Sequence, residues 1–355
     1  MPEGVNRVAD LMQQRFTDNS WSTERHPHDR SEGEQLGDVL VGTCSGSAPG
    51  PRVLLIGHMD TVFPDGTAAS RPFRREGDRA YGPGVADMKD GLLAGFYAVR
   101  CLRHAGMDRF QSVTYVCNPD EEIGSVFSGP LIRERAKSAD VCFVLESARQ
   151  NGAIVSARKG VADVRVLITG KAAHAGVEPH RGRSATLQGA RATVALHELN
   201  ERWPGVTVNV GVIQGGTRPN VVADRCELHV DIRAPTAEAY DEALAAVERE
   251  ATVPHVPEIE VEVRRLSGFP PMEKSEPTAR LVERATAIAT ELGIDLHDTT
   301  TGGASDANAV SALGVPTLDG LGPVAGGAHS ADEWLDVSSV GPRIALLAAL
   351  IADPL

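Results

Sequence analysis

The order of apolar strands and amphipathic helices is the feature of this sequence that most restricts its fold. Residues 51–57 (PRVLLIG), 112–118 (SVTYVCN) and 139–147 (ADVCFVLES) are short apolar runs typical of buried strands. Residues 90–106 lie between the first two runs and repeat apolar side chains at helical spacing. This alternation of strand and helix predicts an α/β fold with a doubly wound, mostly parallel sheet.

The pattern changes in the middle of the chain. Residues 160–170 (GVADVRVLITG) alternate apolar and polar side chains, as a strand with one exposed face does. The segments that follow have the order βαββαβ of the ferredoxin-like unit, and a helix at 276–293 returns to α/β character. We therefore predict a discontinuous α/β domain, residues 1–157 and 270–355, with a ferredoxin-like domain, residues 158–269, inserted into it.

Charge and cysteine content exclude some classes of protein. The formal net charge of −13 argues against a general nucleic-acid binder and against a protein that binds anionic membranes. The five cysteines are odd in number, scattered and without a CxxC pair, which predicts a reducing compartment and a cytoplasmic location. The most apolar segment, residues 344–352, is too short to span a membrane, and the first residues contain no signal-peptide core.

Polar side chains follow the predicted strands, where parallel sheets gather their ligand sites. His58 and Asp60 in GHMDTV come directly after the first strand. A histidine there can bind a metal while an aspartate holds its imidazole in one tautomer. A histidine capped by a nearby aspartate for structure alone is an equally good local interpretation.

Two adjacent glutamates, Glu121 and Glu122 in NPDEEIGS, follow the second strand. Neighbouring carboxylates repel each other, and each favours its protonated form unless a cation lies nearby. Because adjacent side chains point in different directions, one could bind a metal while the other exchanges protons with a water. A solvated pair in a loop explains the local sequence as well.

Three further candidates are ordinary when they are taken singly. Asp87 in YGPGVADMKDG could be a helix cap, Glu146 in VLES a surface residue, and His329 in GGAHSADEW a loop residue. Two histidines and three carboxylates at one edge of a sheet nevertheless suit two zinc ions that share a carboxylate, and cobalt or manganese could substitute. The predicted ligand set is His58, Asp87, Glu122, Glu146 and His329.

These motifs, with a domain inserted between Glu146 and His329, resemble the zinc peptidase family of glutamate carboxypeptidases, aminoacylases and succinyl-diaminopimelate desuccinylase. The resemblance extends from about residue 50 to the end of the chain. The segments PFRREGDRAYGPGVAD, NPDEEIGS and TGGASDA are most similar to the bacterial glutamate (folate-cleaving) carboxypeptidase branch.

The resemblance implies roles for the residues of the larger domain. Asp87 would bridge two zinc ions, with His58 and Glu146 completing one site and Glu122 and His329 the other. Asp60 would orient His58, Glu121 would be the general base, and the peptide bond Asp87–Met88 would be cis. Glutamate at position 146 favours carboxypeptidase-like over aminopeptidase-like relatives.

It also implies roles for the inserted domain, which would be a lid and dimerisation domain. His174 in KAAHAG would stabilise the oxyanion, and Asn220 and Arg233 would bind the substrate carboxylate. Gly303 in TGGASD would line the substrate cleft. When the resemblance is left aside, the simpler interpretation of each of these lid residues is a polar residue on a surface or at a domain interface.

Three features depart from the family pattern. Ser147 stands where many relatives have proline, and SARQNGAIV contains no counterpart of a lysine found in the folate-cleaving branch. This second departure puts preference for a C-terminal glutamate in question. The family's opening helix would precede GVNRVADL, so we expect an N-terminus shorter than that of relatives.

The resemblance therefore implies a di-zinc hydrolase that cleaves an amide bond next to a free carboxylate, using hydroxide formed on the metal and Glu121 as base. An N-acyl-amino-acid deacylase or a desuccinylase on the same scaffold remains open, as does a catalytically silent binding protein. We also expect a homodimer through the inserted domain, because residues 160–170 present an exposed strand edge and the family commonly pairs there. Whether His174 acts within its own subunit is left open.

Overall fold

Short strands alternate with helices over most of the chain in the computed structural model, which describes residues 2–28 and 35–354. The strands are β1 (Ser22–His26), β2 (Val39–Ser45), β3 (Arg52–His58), β4 (Arg74–Glu76), β5 (Arg79–Tyr81), β6 (Ser112–Asn118), β7 (Val141–Val144), β8 (Ile154–Arg158), β9 (Gly160–Thr169), β10 (Thr207–Gly215), β11 (Arg225–Ala234), β12 (Glu260–Phe269), β13 (Asp298–Thr301), β14 (Thr317–Leu318), β15 (Ala325–Gly326) and β16 (Trp334–Asp336). The helices are α1 (Pro2–Asp18), α2 (Thr67–Ser70), α3 (Lys89–His104), α4 (Gly129–Ala136), α5 (Ala185–His197), α6 (Ala237–Thr252), α7 (Glu276–Glu291), α8 (Asp306–Ser311) and α9 (Val337–Ala352).

The first of two units comprises residues 1–157, 274–301 and 305–355. Its central sheet has the strand order β1-β2-β6-β3-β7-β14. The four strands from β6 to β14 are parallel, and β1 and β2 add an antiparallel edge. The predicted α/β fold with a mostly parallel sheet is therefore confirmed.

Helices cover both faces of this sheet, which explains why its strands are apolar throughout. Val53 and Leu55 of β3 belong to the core that also contains buried residues of α1, α3, α7 and α9. Leu54 and Ile56 are also fully buried, and because side chains alternate along a strand they face the opposite side. Burial on both sides fixes the strand, and with it the position of the residues that follow.

The most apolar segment of the chain lies in α9. Leu346, Leu347, Leu350 and Ile351 are buried in the core of the first unit, so the segment is a docking helix as its sequence predicts. Among the residues that the structure describes, no helix is both long enough and apolar enough to cross a membrane.

Helix α3 packs unusually close to the end of β7. A Cβ atom at Gly91 would lie 1.8 Å from the carbonyl oxygen of Leu145, and one at Gly95 would lie 2.4 Å from the Leu145 side chain. Glycine at both positions removes this overlap. The approach brings the start of α3 next to the residues that follow β7.

The second unit comprises residues 158–273 and 302–304. Its elements follow the order β9, α5, β10, β11, α6, β12, and the antiparallel sheet has the strand order β10-β11-β9-β12. This is the predicted ferredoxin-like arrangement. Apolar residues of the sheet, such as Val166 and Val230, share one core with α5 and α6.

The predicted exposed edge at residues 160–170 is wrong. Strand β9 lies inside the sheet and pairs with β11 on one side and β12 on the other. The alternation of its side chains predicts that one face of the strand is exposed. It does not predict whether the backbone N–H and C=O groups along the edge of the strand are unpaired. In the ferredoxin-like order the first strand is internal, and the sheet edges are β10 and β12.

The ends of the second unit are joined by backbone pairing. The N–H of Arg158 donates to the Met272 carbonyl at 2.9 Å, and the N–H of Met272 donates back at 3.0 Å. This pairing extends the unit to Glu273, beyond the end that we predict at residue 269. Residues 302–304 group with it because Arg158 donates to the Gly303 carbonyl and Arg233 to the Gly302 carbonyl.

The contact between α3 and β7 predicts opposite effects for two glycine substitutions. Gly91→Ala should lower the free energy of unfolding by about 1–3 kcal/mol, because the new methyl group overlaps backbone that cannot rotate away. Gly341→Ala, in α9 with nothing within 4 Å of the new Cβ, should raise it by up to about 1 kcal/mol. Urea unfolding of both variants measures the difference, and equal effects would contradict the close approach.

Candidate metal centre and active site

The ends of the parallel strands place most of the candidate residues of the first unit. His58 is the last residue of β3, Glu121 and Glu122 form a 3-10 turn after β6, and Glu146 lies two residues beyond β7. Asp87 lies two residues before the start of α3, next to its N-cap residue Met88. His329 belongs to the loop between β15 and β16, with a left-handed φ of 63°.

The carboxylate of Asp87 lies between two histidines. Its Oδ1 is 2.9 Å from Nε2 of His58, and its Oδ2 is 2.9 Å from Nε2 of His329. The His58 side chain is only 1% exposed, whereas that of His329 is 57% exposed. The two oxygens of one side chain therefore serve two separate nitrogen donors. The peptide bond that follows, Asp87–Met88, is cis.

Each histidine also has a glutamate beside it. Oε1 of Glu146 is 3.7 Å from Nε2 of His58, and Oε2 of Glu122 is 3.2 Å from Nε2 of His329. The five predicted ligands thus form two groups, each with one histidine and one glutamate, that meet at Asp87. The structure brings all five together.

These separations fit ligands of a common metal ion. Tetrahedral zinc with ligand distances of about 2.0–2.1 Å holds its ligand atoms about 3.3 Å apart. Histidine nitrogen and carboxylate oxygen are donors that zinc accepts. The possible ligand atoms of His58, Asp87 and Glu122 all lie within 4.8 Å of one another. The side chains present are therefore able to hold divalent metal.

The electrostatics of the cluster favour a cation. Burial and the charge of Asp87 raise the pKa of Glu122, and burial raises the pKa of Glu121 well above its ordinary value. Burial also opposes the charge on His58, but hydrogen bonds to Asp60 and Asp87 raise its pKa well above the usual value. The surroundings of the two glutamates therefore disfavour their charged forms, and a cation beside them would favour those forms.

Asp60 connects His58 with the glutamate pair. Its Oδ1 lies 3.4 Å from Nδ1 of His58 and accepts the N–H of Glu121 at 3.3 Å, while Oδ2 accepts the N–H of Glu122 at 3.0 Å. Nδ1 of His58 also lies 3.2 Å from the backbone carbonyl oxygen of Asp60, so this residue holds both the imidazole ring and the backbone of the turn that carries Glu121.

Glu333 was not predicted, although it lies only four residues after His329. It is 1% exposed, and its carboxylate accepts the backbone N–H groups of Gly84, Ala86 and Asp87 at 2.9, 2.8 and 3.1 Å. It therefore holds the segment that ends in Asp87. In the sequence, Glu333 is only an acidic residue directly before Trp334 in a glycine-rich loop. A solvated surface glutamate would have the same sequence context.

Lys89 places a positive charge beside this segment. A Cβ atom at Gly84 would lie 2.3 Å from the Lys89 ammonium, so glycine leaves room for the charge. Burial lowers the pKa of Lys89, and the carboxylate of Glu333 is the strongest of the groups that oppose this shift. The ammonium thereby offsets part of the negative charge around the cluster.

Ser147 makes contacts that the proline of many relatives cannot make. Its hydroxyl donates to the carbonyl of Ala86 and lies 2.8 Å from Oδ2 of Asp90. Burial raises the pKa of Asp90 well above its ordinary value. The residue after Glu146 is thereby joined to the residue before Asp87.

Two cavities within the first unit border the cluster. One of about 470 Å³ opens beside Glu122 and is lined by Val62, Phe63 and Lys89 among others. The second, of about 230 Å³, lies beside Glu146 and Asp87. The two cavities therefore border different members of the cluster.

The remaining predicted residues belong to the second unit. His174 is exposed, and its loop pairs with that of Asn220 through a hydrogen bond from the N–H of Ala175. Arg233 forms a two-point ion pair with Asp231, whose hydrogen bond raises the pKa of the guanidinium. Its Nη1 donates to the carbonyl of Gly302, the residue before Gly303, at 3.0 Å. His174 thus lies near Asn220, and Arg233 lies near Gly303.

Comparison with known proteins relates the chain to one family over most of its length. The profile of peptidase family M20/M25/M40 matches residues 54–353. Carboxypeptidase G2 of Pseudomonas sp. (strain RS-16) is 32% identical over 354 residues, which cover 99% of this chain and 84% of the relative. Succinyl-diaminopimelate desuccinylase of Burkholderia cenocepacia is 30% identical over 312 residues, which cover 82% of this chain and 80% of the relative.

Solved structures show the same relationship. Aminopeptidase PepT from Bacillus cereus superposes with a TM-score of 0.78 at 27% identity, covering 97% of this chain and 92% of that one. The M20 family metallo-carboxypeptidase Sso-CP2 from Sulfolobus solfataricus gives a TM-score of 0.72 over 98% and 93% of the two chains. At 15% identity the second match shows a shared fold alone.

The contacts of Glu333 predict that it strengthens metal binding by holding the backbone around Asp87, although it is not itself one of the predicted ligands. Glu333→Gln should weaken metal binding by about 10–100-fold, because an amide cannot offer two acceptor oxygens to three N–H groups. Competition with a chelator measures this affinity. Asp332→Asn removes the same charge from an exposed neighbour and should leave the affinity unchanged. Equal losses in the two variants would show that net charge alone is responsible.

Proposed function

Because the chain belongs to peptidase family M20/M25/M40, we propose that it hydrolyses an amide bond next to a free carboxylate, as a carboxypeptidase does, at a centre of two zinc ions. Family membership makes the protein a metallopeptidase or amidohydrolase. The observation that carries the finer proposal is the position of Asp87, with one oxygen 2.9 Å from each of two histidines.

In this proposal Asp87 would hold both ions, His58 and Glu146 would hold one of them, and Glu122 and His329 would hold the other. When bound, the ions polarise the carbonyl of the scissile amide and acidify a water. Cobalt or manganese could replace zinc, since the donor set of nitrogen and carboxylate oxygen suits these metals too. The grouping of each histidine with one glutamate supports this division.

Glu121 is the proposed proton carrier. It accepts a proton from the attacking water and returns it to the nitrogen of the departing amine, so the carboxylate is regenerated in each cycle. Its position supports this role, because the adjacent Glu122 lies against His329 while Asp60 holds the backbone of both glutamates. The backbone of Glu121 is therefore held beside the proposed ligands, although Glu121 is not one of the proposed five.

The inserted unit would bind the rest of the substrate. We propose that Arg233 and Asn220 bind the free carboxylate and that His174 donates a hydrogen bond to the oxyanion. The ion pair with Asp231 supports the first role, because it holds the Arg233 fork in one orientation. The similarity to carboxypeptidase G2 supports a substrate with a C-terminal carboxylate.

A deacylase or desuccinylase is the second candidate. The similarity to succinyl-diaminopimelate desuccinylase favours it, as does the lack of a lysine in the segment after Glu146, SARQNGAIV. Both candidates use the same metal centre and differ in the groups on either side of the amide. A catalytically silent binding protein is the third, and it predicts no turnover with any substrate.

A substrate panel with zinc present distinguishes these functions. We expect turnover of acyl-glutamates and dipeptides with a free carboxylate, and none of the same compounds as carboxamides, because the carboxamide carries no charge for Arg233. Preferential turnover of N-acetyl or N-succinyl amino acids would establish the second candidate. No turnover of any compound by the zinc-loaded protein would contradict the proposed function.

Variants of the two adjacent glutamates separate the proton carrier from the ligand. Glu121→Gln should keep the full metal content and lose about 10²–10⁴-fold in kcat, because the amide cannot accept the proton. Glu122→Gln is the matched control and should lose metal instead. Elemental analysis together with steady-state kinetics decides, and unchanged kcat in Glu121→Gln would reject its role.

The inserted unit supports a homodimer, which we propose forms through the edge of β10. This strand contains no charged residue (TVNVGVIQG), and its Val212 and Ile213 are 38% and 51% exposed. Leu187 and Val194 of the adjacent helix α5 are also exposed. The opposite edge, β12, carries four charged residues in EVEVRRLSGF, which discourage pairing. A second copy would pair its β10 in the same way, giving twofold symmetry.

Sedimentation of the pure protein tests this interface. Ile213→Lys combined with Val194→Glu should convert the dimer to a monomer, because both charges would be buried between the copies. Leu266→Lys, at an equally exposed position of β12, should leave the dimer intact. A monomeric wild type at micromolar concentration would remove the proposal.

The cysteines are consistent with the cytoplasmic location, which stays a prediction. All five are free thiols, and Cys101 is the exposed one. Burial raises the pKa of the thiols of Cys117 and Cys142 well above the ordinary value, so these two are poor nucleophiles. Thiols of this kind act as small apolar side chains of a core.

A further inference from the structure

The carboxylate of Asp306, in TGGASD, has no part in the roles assigned so far. Asp306 is the first residue of α8 and is 2% exposed. Its Oδ2 accepts a hydrogen bond from Nδ2 of Asn118, and its Oδ1 accepts one from Oγ of Ser125, both at 2.5 Å. A buried carboxylate is costly unless hydrogen bonds compensate it, so these two contacts are strong constraints on the groups around it.

The two donors stand at opposite ends of one loop. Asn118 ends β6, and Ser125 is the last residue of NPDEEIGS, the octapeptide that contains Glu121 and Glu122. Nδ2 of Asn118 also donates to Oγ of Ser125 at 3.0 Å. Asp306 thus closes the loop at its base, joining residues that are seven positions apart.

The orientation of Asn118 is fixed by its other contacts. Its Oδ1 accepts the N–H of Asp120 at 2.9 Å and the hydroxyl of Ser128 at 2.9 Å. The amide therefore cannot flip without losing two hydrogen bonds, and it must present its NH₂ group to Asp306. All of these side chains are buried, so water does not replace a lost partner easily.

Two carboxylates together hold the loop at three points. Asp306 joins its ends, and Asp60 accepts the backbone N–H groups of Glu121 and Glu122 near its middle. Ser125 has a left-handed φ of 50°, a conformation that non-glycine residues adopt infrequently. The hydrogen bond of its hydroxyl to Asp306 compensates for this conformation.

We propose that Asp306 is a positioning residue for the proton carrier: by clamping both ends of the loop 118–125, it fixes the Glu121 carboxylate relative to the metal ligands. The inference rests on the proposed function of Glu121. Proton transfer requires a well-defined distance, and a displacement of about 1 Å can cost about 100-fold in rate. A loop closed only at its middle would let the Glu121 side chain move while Glu122 stayed bound.

Two substitutions test the clamp without removing the loop. Asp306→Asn keeps the shape of the side chain but leaves one acceptor oxygen for two donors, and Ser125→Ala removes a single hydroxyl. We expect kcat to fall by about 10–100-fold in Asp306→Asn and by less in Ser125→Ala. Metal content should stay at the wild-type level and KM should change by less than about twofold. The double variant should be no worse than Asp306→Asn, because both substitutions break one clamp.

A purely structural role makes a different prediction. Gln188 in the inserted unit is also fully buried, donates to the Val253 carbonyl and accepts the N–H groups of His255 and Val256. Gln188→Ala is therefore a matched control that should lower the melting temperature and leave kcat unchanged. A lower melting temperature with unchanged kcat in Asp306→Asn, or an equal loss of kcat in Gln188→Ala, would overturn the positioning role.

Hydrogen exchange gives a result that does not depend on catalysis. The backbone amides of residues 120–124 should exchange faster in Asp306→Asn than in the wild type, while those of the inserted unit should not change. Unchanged exchange in the loop would refute the clamp. If the wild type hydrolysed no compound of the panel, the proposed function would fail, and this measurement would still decide whether Asp306 holds the loop.

Discussion

The interaction on which the rest of this structure depends is the division of one carboxylate between two histidines. Asp87 offers Oδ1 to His58 and Oδ2 to His329, each at 2.9 Å, although these histidines are 271 positions apart in sequence. Three other features around the cluster hold these residues in place. Asp60 fixes the His58 ring, Glu333 holds the backbone before Asp87, and the glycines of α3 let that helix begin next to the ligands.

Without a bound cation, such a cluster of partly buried carboxylates destabilises the folded protein. Burial raises the pKa values of Glu121 and Glu122, and Lys89 supplies one positive charge to an environment with several carboxylates. Divalent ions would neutralise these charges in the folded chain and bind weakly to the unfolded one. Metal binding would therefore contribute directly to the free energy of folding, as it does in other proteins whose ligands come from distant segments.

The predictable part of the fold and site follows from strand burial. Because β3 and β6 are apolar and buried on both faces, their ends could be located from sequence, and His58 and Glu122 with them. Asp87 and His329 lie in loops, so their proximity followed from the family resemblance rather than from periodicity.

Glu333 and Asp306 were missed as functional residues because each acts by accepting hydrogen bonds in the interior, which leaves no periodic signal. The edge of the inserted sheet was misassigned because strand order depends on pairing between distant segments.

The reciprocal hydrogen bonds between Arg158 and Met272 have a consequence for how this architecture can change. They put the entry and the exit of the second unit side by side, so a short turn could replace everything between them. The polypeptide on either side would not have to move, and the metal ligands would keep their places. The second unit can therefore be exchanged as a module, since one genetic replacement at this point would leave every residue of the first unit unaltered.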